Sequence, residues 1–230
     1  MADLESAAAA VIAQLVAGEP LTEERREVLA WFIALQWSRS RWVLTWLRSQ
    51  VRAARGESDP RFSAEYRSVG LIAVLAPLLE AWRMRGNPSA GPKEKWNAIV
   101  SEVWRMDWKL QRYAGRSLVV SDAVVALSGT VEESVPAVVQ RWSMHGIEVG
   151  FGTCKRLTMP LAPNLGVLAT RGVHPVRIDA QRFNRYTVYN SREWVAYAPD
   201  WPSEKPRLHR SVIENLSLQR ILRPMMGDSD

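Results

Sequence analysis

Cysteine is nearly absent from this sequence: Cys154 is the only one. A single thiol excludes an intrachain disulfide and any zinc site built on several cysteines. It fits a reducing compartment, so the expected location is intracellular and cytoplasmic. Histidine is almost as scarce. His145, His174 and His209 stand far apart with no HExxH or HxH spacing, so no metal and no cofactor are expected. No run of about 18 apolar residues occurs, which excludes a membrane-spanning helix. The opening MADLESAAAAVIAQLVAG has an acidic rather than a basic leader and reads as a helix, not as a secretory signal. The nucleotide loops GxxxxGK[ST] and GxGxxG after a strand are missing, as is the GxSxG elbow. Gly150-Phe151-Gly152 is a lone GxG that fits a hairpin turn. Cys154 has no evident base partner in sequence, so it is not assigned as a nucleophile.

What is present is a globular composition. The 230 residues are 47% hydrophobic and 23% charged, enough to bury a sizeable core in one domain. Net charge is +6, and only five of the 30 basic residues are lysine, so the excess is carried by arginine. Arginine's planar fork suits phosphate and carboxylate groups. Arg41, Arg48, Arg52 and Arg55 recur at helical spacing with Trp42 and Trp46 nearby. Further basic clusters occur at Arg83/Arg85 and Arg182/Arg185. Such a stripe reads either as a phosphate-facing surface or as a solvated helix face. The 11 tryptophans lie mostly beside aliphatic residues at helix spacing, which places them in packing roles.

Punctuation and period give the elements. Residues 3 to 17 form a helix ended by Gly18 and Pro20. Thr22 caps a second helix, with Glu23 and Glu24 in its first turn, that runs to about Ala54. A third helix covers 62 to 85, with a kink or break at Pro77. A fourth runs from Lys93 to about Arg105, with Trp96, Ile99, Val100 and Val103 on its apolar side. Asp107 to Tyr113 then alternates like a strand, and Leu118 to Val120 is a short buried strand ending in Ser121 and Asp122. Val131 to Met144 reads as loop plus a short helix. Ile147–Phe151 and Arg156–Met159 suggest a hairpin around Gly152, followed by a strand over Leu165–Thr170. Met159 to Pro163 (MPLAP) is a rigid extended segment at an edge or crossover. Asp179 caps a helix over Ala180–Asn190, Trp194–Tyr197 returns as a strand, and 209 to 222 forms a closing helix.

Three polar placements stand out. On the second helix Leu29, Phe32, Ile33, Val43 and Leu47 share a face, and Gln36, Arg39 and Ser40 sit in its middle. Buried groups of this kind need partners, at about 1–3 kcal/mol for each left unpaired. Asp122 ends an apolar strand, either as an acid in a site, as a partner of Arg39, or as a turn residue or cap. Asn184 sits in mid-helix, where Asn is mildly unfavourable unless it is bonded to the core or faces water.

Taken in order, QWSRSR after an apolar helix, VVSDAVV, MPLAPNLGVL and FNRYTVYNSREWVAYAP resemble the family of uncharacterised domains known as DUF4238. In that family a helix carries Q-x-x-R and a small residue, here Gln36, Arg39 and Ser40. A strand ends in S-D-x-P-V, here Ser121, Asp122 and Val125. A P-L-[ST]-P segment corresponds to Pro160, Leu161 and Pro163, and a helix bearing Asn corresponds to Asn184. The resemblance covers residues 1 to about 200. It departs at Ala123-Val124, where a polar-Pro pair is usual, and at Ala162, where Ser or Thr is usual. It also implies a His-containing lead of the type HHYVP, after which this chain is expected to start. No established activity follows from the resemblance.

The expected fold is α+β, with N-terminal helices packed on a mostly antiparallel sheet. It is expected as a single domain over 1–230, with a helical half 1–105 and a sheet-rich half 106–230. Gln36, Arg39, Asp122 and Asn184, supported by Ser40 and Ser121, are expected to form one polar cluster that binds a ligand or holds the structure. Arg39 would neutralise Asp122 or hold an anionic group, and the two amides would orient it. The favoured function is a binding or regulatory domain that contacts nucleic acid or a protein partner through the arginine face, with no membrane partner. The alternative is a hydrolase or nuclease-like enzyme with Asp122 as its catalytic candidate beside Arg39.

Overall fold

A computed structural model describes residues 2–40, 75–85, 98–115, 117–131, 140, 143–144, 149–191, 194–197 and 212. Five helices and six strands lie among them: α1 Ala2–Val16, α2 Glu23–Ser38, α3 (helical residues 75–84), α4 Ala98–Trp104, β1 Asp107–Arg112, β2 Val120–Ser121, β3 Ala126–Thr130, β4 Cys154–Ala162, β5 Leu165–Thr170, α5 Ala180–Asn190 and β6 Val195–Ala196. Helices come first and a mostly antiparallel sheet follows, which is α+β. The chain divides into two compact units, Met1–Val11 with Thr22–Trp104, and Ile12–Leu21 with Arg105–Asp230. The division at Trp104/Arg105 falls where the sequence changes from helical to strand period.

In the first unit, α2 starts as its sequence requires. The Thr22 hydroxyl accepts from the Arg25 N–H at 3.3 Å, with Glu23 and Glu24 in the first turn. It does not run to Ala54. It ends at Ser38, where the N–H of Ser40 closes a tight turn on the Trp37 carbonyl at 2.8 Å. The single apolar face is also corrected, because Ala30, Trp31, Ala34, Leu35 and Ser38 are buried along with Leu29 and Ile33. A helix buried on several sides is enclosed by its neighbours rather than lying at the surface. Trp31 meets Trp82 of α3 edge to face, with centroids 5.7 Å apart. Arg26 lies over the Trp104 ring at 4.6 Å and donates to the Trp104 carbonyl, capping α4. α3 is helical on both sides of Pro77, so no break occurs there. Residues 41–74, 86–97 and 213–230 lie outside the described residues. With them lie the arginine stripe at 41, 48, 52 and 55, the first part of the third helix and nearly all of the expected closing helix.

The second unit is organised by a four-stranded sheet in the order β1-β5-β4-β3, every pair antiparallel. β5 is central and buried along its whole length, as its near-continuous apolar run requires. α1 ends in a Schellman turn: Gly18 takes φ +105, its N–H donates to Leu15, and the Glu19 N–H donates to Gln14. Arg112 of β1 donates to the carbonyls of Leu15 and Val16, placing a cation at the negative end of that helix.

Three strand expectations need correction. Of the hairpin expected between 147–151 and 156–159, residues 147 and 148 lie outside the described residues; 149–153 make a turn on the Gly150 carbonyl rather than a paired strand, and β4 is taken on one side by β5 and on the other by β3. β3, with sequence ALSGT, has no apolar alternation, and Gly129 takes φ +71 within it. The expected buried strand Leu118–Val120 is displaced. Leu118 and Val119 are buried but precede the ladder, and Val120, its first paired residue, is 37% exposed. Pro160 lies inside β4 rather than in a connection. It falls beyond the last β3 pair, Ala126↔Thr158, at a register shift, where a missing N–H is tolerated. Ala162 and Leu165 then pair across a two-residue turn, Pro163-Asn164. Its carbonyls accept from the N–H groups of Leu118 and Tyr113 at 2.8 and 2.9 Å.

Candidate functional site

The candidate residues of the second unit gather around α5. The sequence starts this helix cleanly: the Asp179 carboxylate accepts from the Arg182 N–H at 2.7 Å. Phe183 then points at the sheet and is completely buried with Leu118, Ala126, Leu168, Ile178 and Tyr186. The approach is close enough to require glycine opposite. A Cβ on Gly166 would stand 2.5 Å from the Phe183 ring and 3.2 Å from Leu118. Beside this contact Gln111 ties β1 to the segment before α5. Its Oε1 accepts from the Ile178 N–H at 3.1 Å and the Tyr113 hydroxyl at 2.8 Å. Tyr113 stacks edge to face on Phe183, and burial pushes its phenol well above the ordinary value of 10.0. Arg177 opposes that shift and Asp179 adds to it.

One flank of α5 is a seam with the segment leading into and out of β2. Asn184 is 4% exposed and uses both ends of its amide: Nδ2 donates to the Ser117 carbonyl at 2.7 Å, and Oδ1 accepts from the Val119 N–H at 3.1 Å. Ser121 is fully buried, and its hydroxyl donates to the carbonyls of Ala123 at 3.0 Å and Thr187 at 3.4 Å. Asp122 is half-buried and closes the seam. Its Oδ1 accepts from the Ser191 hydroxyl at 2.8 Å and the Trp194 N–H at 3.4 Å. Asn190 repeats the Asn184 pattern, accepting from the Leu127 N–H at 3.2 Å and donating to the Tyr186 carbonyl at 3.0 Å. A backbone that leaves the ladder must find other partners, and side chains of α5 supply them.

The structure thus brings Ser121, Asp122 and Asn184 together as members of one seam. Gln36, Arg39 and Ser40 belong to the first unit. There Gln36 is half-buried, Ser40 is buried with its hydroxyl unbonded, and Arg39 Nη1 pairs with Glu5 Oε1 of α1 at 2.7 Å. The Arg39–Glu5 pair is about one-third exposed and modest in stabilising effect.

The other flank of α5 differs. Arg182 Nε donates to the Tyr186 hydroxyl at 3.2 Å. Arg156, reaching from β4, donates to the same oxygen through Nη1, with its guanidinium carbon 4.8 Å from the Tyr186 ring centroid. Neither Arg156 nor Arg182 forms a salt bridge with a carboxylate among the described residues. Sequence reasoning marked Arg182 only as part of a basic cluster and passed over Arg156, Tyr186, Asn190, Ser191 and Gln111. Arg182 and Tyr186 are four apart on a helix, a legible signal. The approach of Arg156 depends on β4 lying under α5 and has no local signal.

Cys154 is buried in β4 with its thiol 3.6 Å from the Phe151 carbonyl, the setting of a small core residue. Among the described residues no group of three His, Cys, Asp or Glu side chains could hold a metal ion, and no helix is long and apolar enough to cross a membrane.

A family model described as a protein of unknown function, DUF4238, matches residues 1–200. No curated protein and no solved structure matches the chain.

Proposed function

We propose that this chain, which belongs to the DUF4238 family, is a binding module that contacts nucleic acid through arginine, rather than an enzyme built on Asp122. The observation that carries this reading is the seam. Ser121, Asp122 and Asn184 direct their polar atoms at Ser117, Val119, Ala123, Thr187, Ser191 and Trp194 of their own unit. A catalytic carboxylate must reach substrate, and the Asp122 oxygen described above is already engaged in anchoring β6 to β2. The net charge of +6, carried by arginine, supports an anionic partner. In this reading Gln36, Arg39 and Ser40 shape the helical unit, with Arg39 holding α1 against α2 through Glu5.

The test is fluorescence anisotropy of labelled single- and double-stranded oligonucleotides with the full chain, from about 50 to 300 mM salt. The expected result is binding at micromolar protein, with log affinity falling linearly with log salt as counterions are released. No binding, or binding indifferent to salt, overturns the reading. Cleavage of the oligonucleotide that disappears in Asp122→Asn supports the hydrolase alternative instead.

A further inference from the structure

We propose that Arg156 and Arg182, beside the Tyr186 hydroxyl, form an oxyanion site whose ligand is a phosphate group. Two guanidinium groups here donate to one neutral oxygen, Arg182 through Nε at 3.2 Å and Arg156 through Nη1. A phenol hydroxyl has two acceptor lone pairs, so both are filled, and it brings no negative charge. Among the described residues no carboxylate neutralises these two cations, and like charges held close together repel. The nearest carboxylate along α5, that of Asp179, is engaged with the Arg182 backbone N–H at 2.7 Å. Neither arginine has a salt bridge among the described residues. Each guanidinium keeps most of its five N–H donors unused.

A second observation points the same way. Ser128 stands directly across from Arg156 in the β3–β4 ladder, so their side chains leave the sheet on one face. That face is the one under α5, since Ala126 and Leu168 on it pack against Phe183 and Tyr186. Ser128 is 1% exposed, and its buried hydroxyl has no hydrogen-bond partner. Thr158, two residues along β4 on the same face, is fully buried and its hydroxyl is also unbonded. Unbonded buried hydroxyls are costly and uncommon in folded proteins. Two guanidinium forks and two hydroxyl donors exceed what the two oxygens of a carboxylate can accept. They match the three or four oxygens of a phosphate, which guanidinium forks bind bidentately.

The phosphate can be free or part of a nucleic-acid backbone, and only the second source rests on the binding reading above. The experiment is calorimetric titration of the full chain with inorganic phosphate, against sodium chloride at equal ionic strength, and separately with a single-stranded oligonucleotide. Wild type is compared with Arg182→Gln, an exposed position expected to fold normally, and with Arg156→Lys, which keeps the charge and loses the fork. Wild type is expected to bind phosphate, with affinity falling about tenfold or more in Arg182→Gln, the loss of one charge-assisted hydrogen bond. Arg156→Lys is expected to fall as well. Failure of wild type to bind phosphate, or equal binding by Arg182→Gln, overturns the site, even where the oligonucleotide still binds and the nucleic-acid reading survives. Arginine-dependent phosphate binding without oligonucleotide binding upholds the site and removes that reading.

Discussion

The two flanks of α5 carry polar groups of similar number and opposite use. On the Asn184 flank the donors of Asn184, Ser121, Ser191 and Trp194 meet backbone carbonyls or the Asp122 carboxylate of the chain itself, although the Thr187 hydroxyl there is buried and unbonded. On the Tyr186 flank two cations meet one hydroxyl and, among the described residues, no anion. Between them lies the Phe183 stripe, which supplies the apolar contact with the sheet. The difference teaches where structure and binding divide in this unit. Groups that balance donors with acceptors hold the fold, and the guanidinium groups with unused donors are where the proposed phosphate would bind.

The largest expected effect comes from unbalancing the first flank. Asn184→Ala leaves the Ser117 carbonyl and the Val119 N–H without partners in a buried seam, and is expected to cost about 2–4 kcal/mol. Urea unfolding measures it. Asn184→Asp sharpens the point, because a carboxylate still accepts from Val119 but cannot donate to Ser117, so it should not restore wild-type stability. Second is the stripe between the flanks. Gly166→Ala places a Cβ 2.5 Å from the Phe183 ring, and the forced shift is expected to cost about 1–3 kcal/mol on the same assay.

The third prediction uses another tyrosine as a control for Tyr186. Tyr113 donates to Gln111, and burial raises its phenol pKa in the folded state. The folded chain therefore holds its proton more tightly than the unfolded chain does. Stability from this group is fully present below about pH 10, the unfolded value, and is lost progressively as pH rises above it. Tyr113→Phe is expected to flatten that alkaline decline, seen in urea midpoints between about pH 9 and 11. The smallest stability effect is on the second flank. Arg182→Gln is expected to shift unfolding by no more than about 0.5 kcal/mol, since Arg182 is an exposed surface position.

Much of the secondary structure could be read from the chain alone, and the reasons are local. Asp179 announces α5, Gly18 ends α1, Thr22 starts α2, and the alternation of β1 and the apolar run of β5 mark strands. Asn184 and Asp122 stand out in the sequence as polar residues in apolar patterns, and Ser121 as the neighbour of Asp122. Their roles were not, because the partners of Asn184 are backbone groups of Ser117 and Val119, which only the docking of α5 brings near. β3 was invisible for the same kind of reason. Its ALSGT sequence has little strand character, and its identity comes from pairing with β4 across a long connection. The end of α2 at Ser38 was missed because apolar residues at helical spacing continue past it. Arg156 gave no signal at all, since its neighbour on β3, Ser128, and its acceptor on α5, Tyr186, are both remote in sequence.

One measurement bears on the division between the flanks most directly: urea unfolding of wild type, Asn184→Ala and Arg182→Gln, each with and without inorganic phosphate at constant ionic strength. The predicted result is a crossed pattern. Asn184→Ala lowers the midpoint but keeps the increase that phosphate confers, whereas Arg182→Gln keeps the midpoint and loses the increase. The contradicting result is a phosphate increase that vanishes in Asn184→Ala and survives in Arg182→Gln, which would place ligand binding on the seam and leave the arginine pair a structural contact.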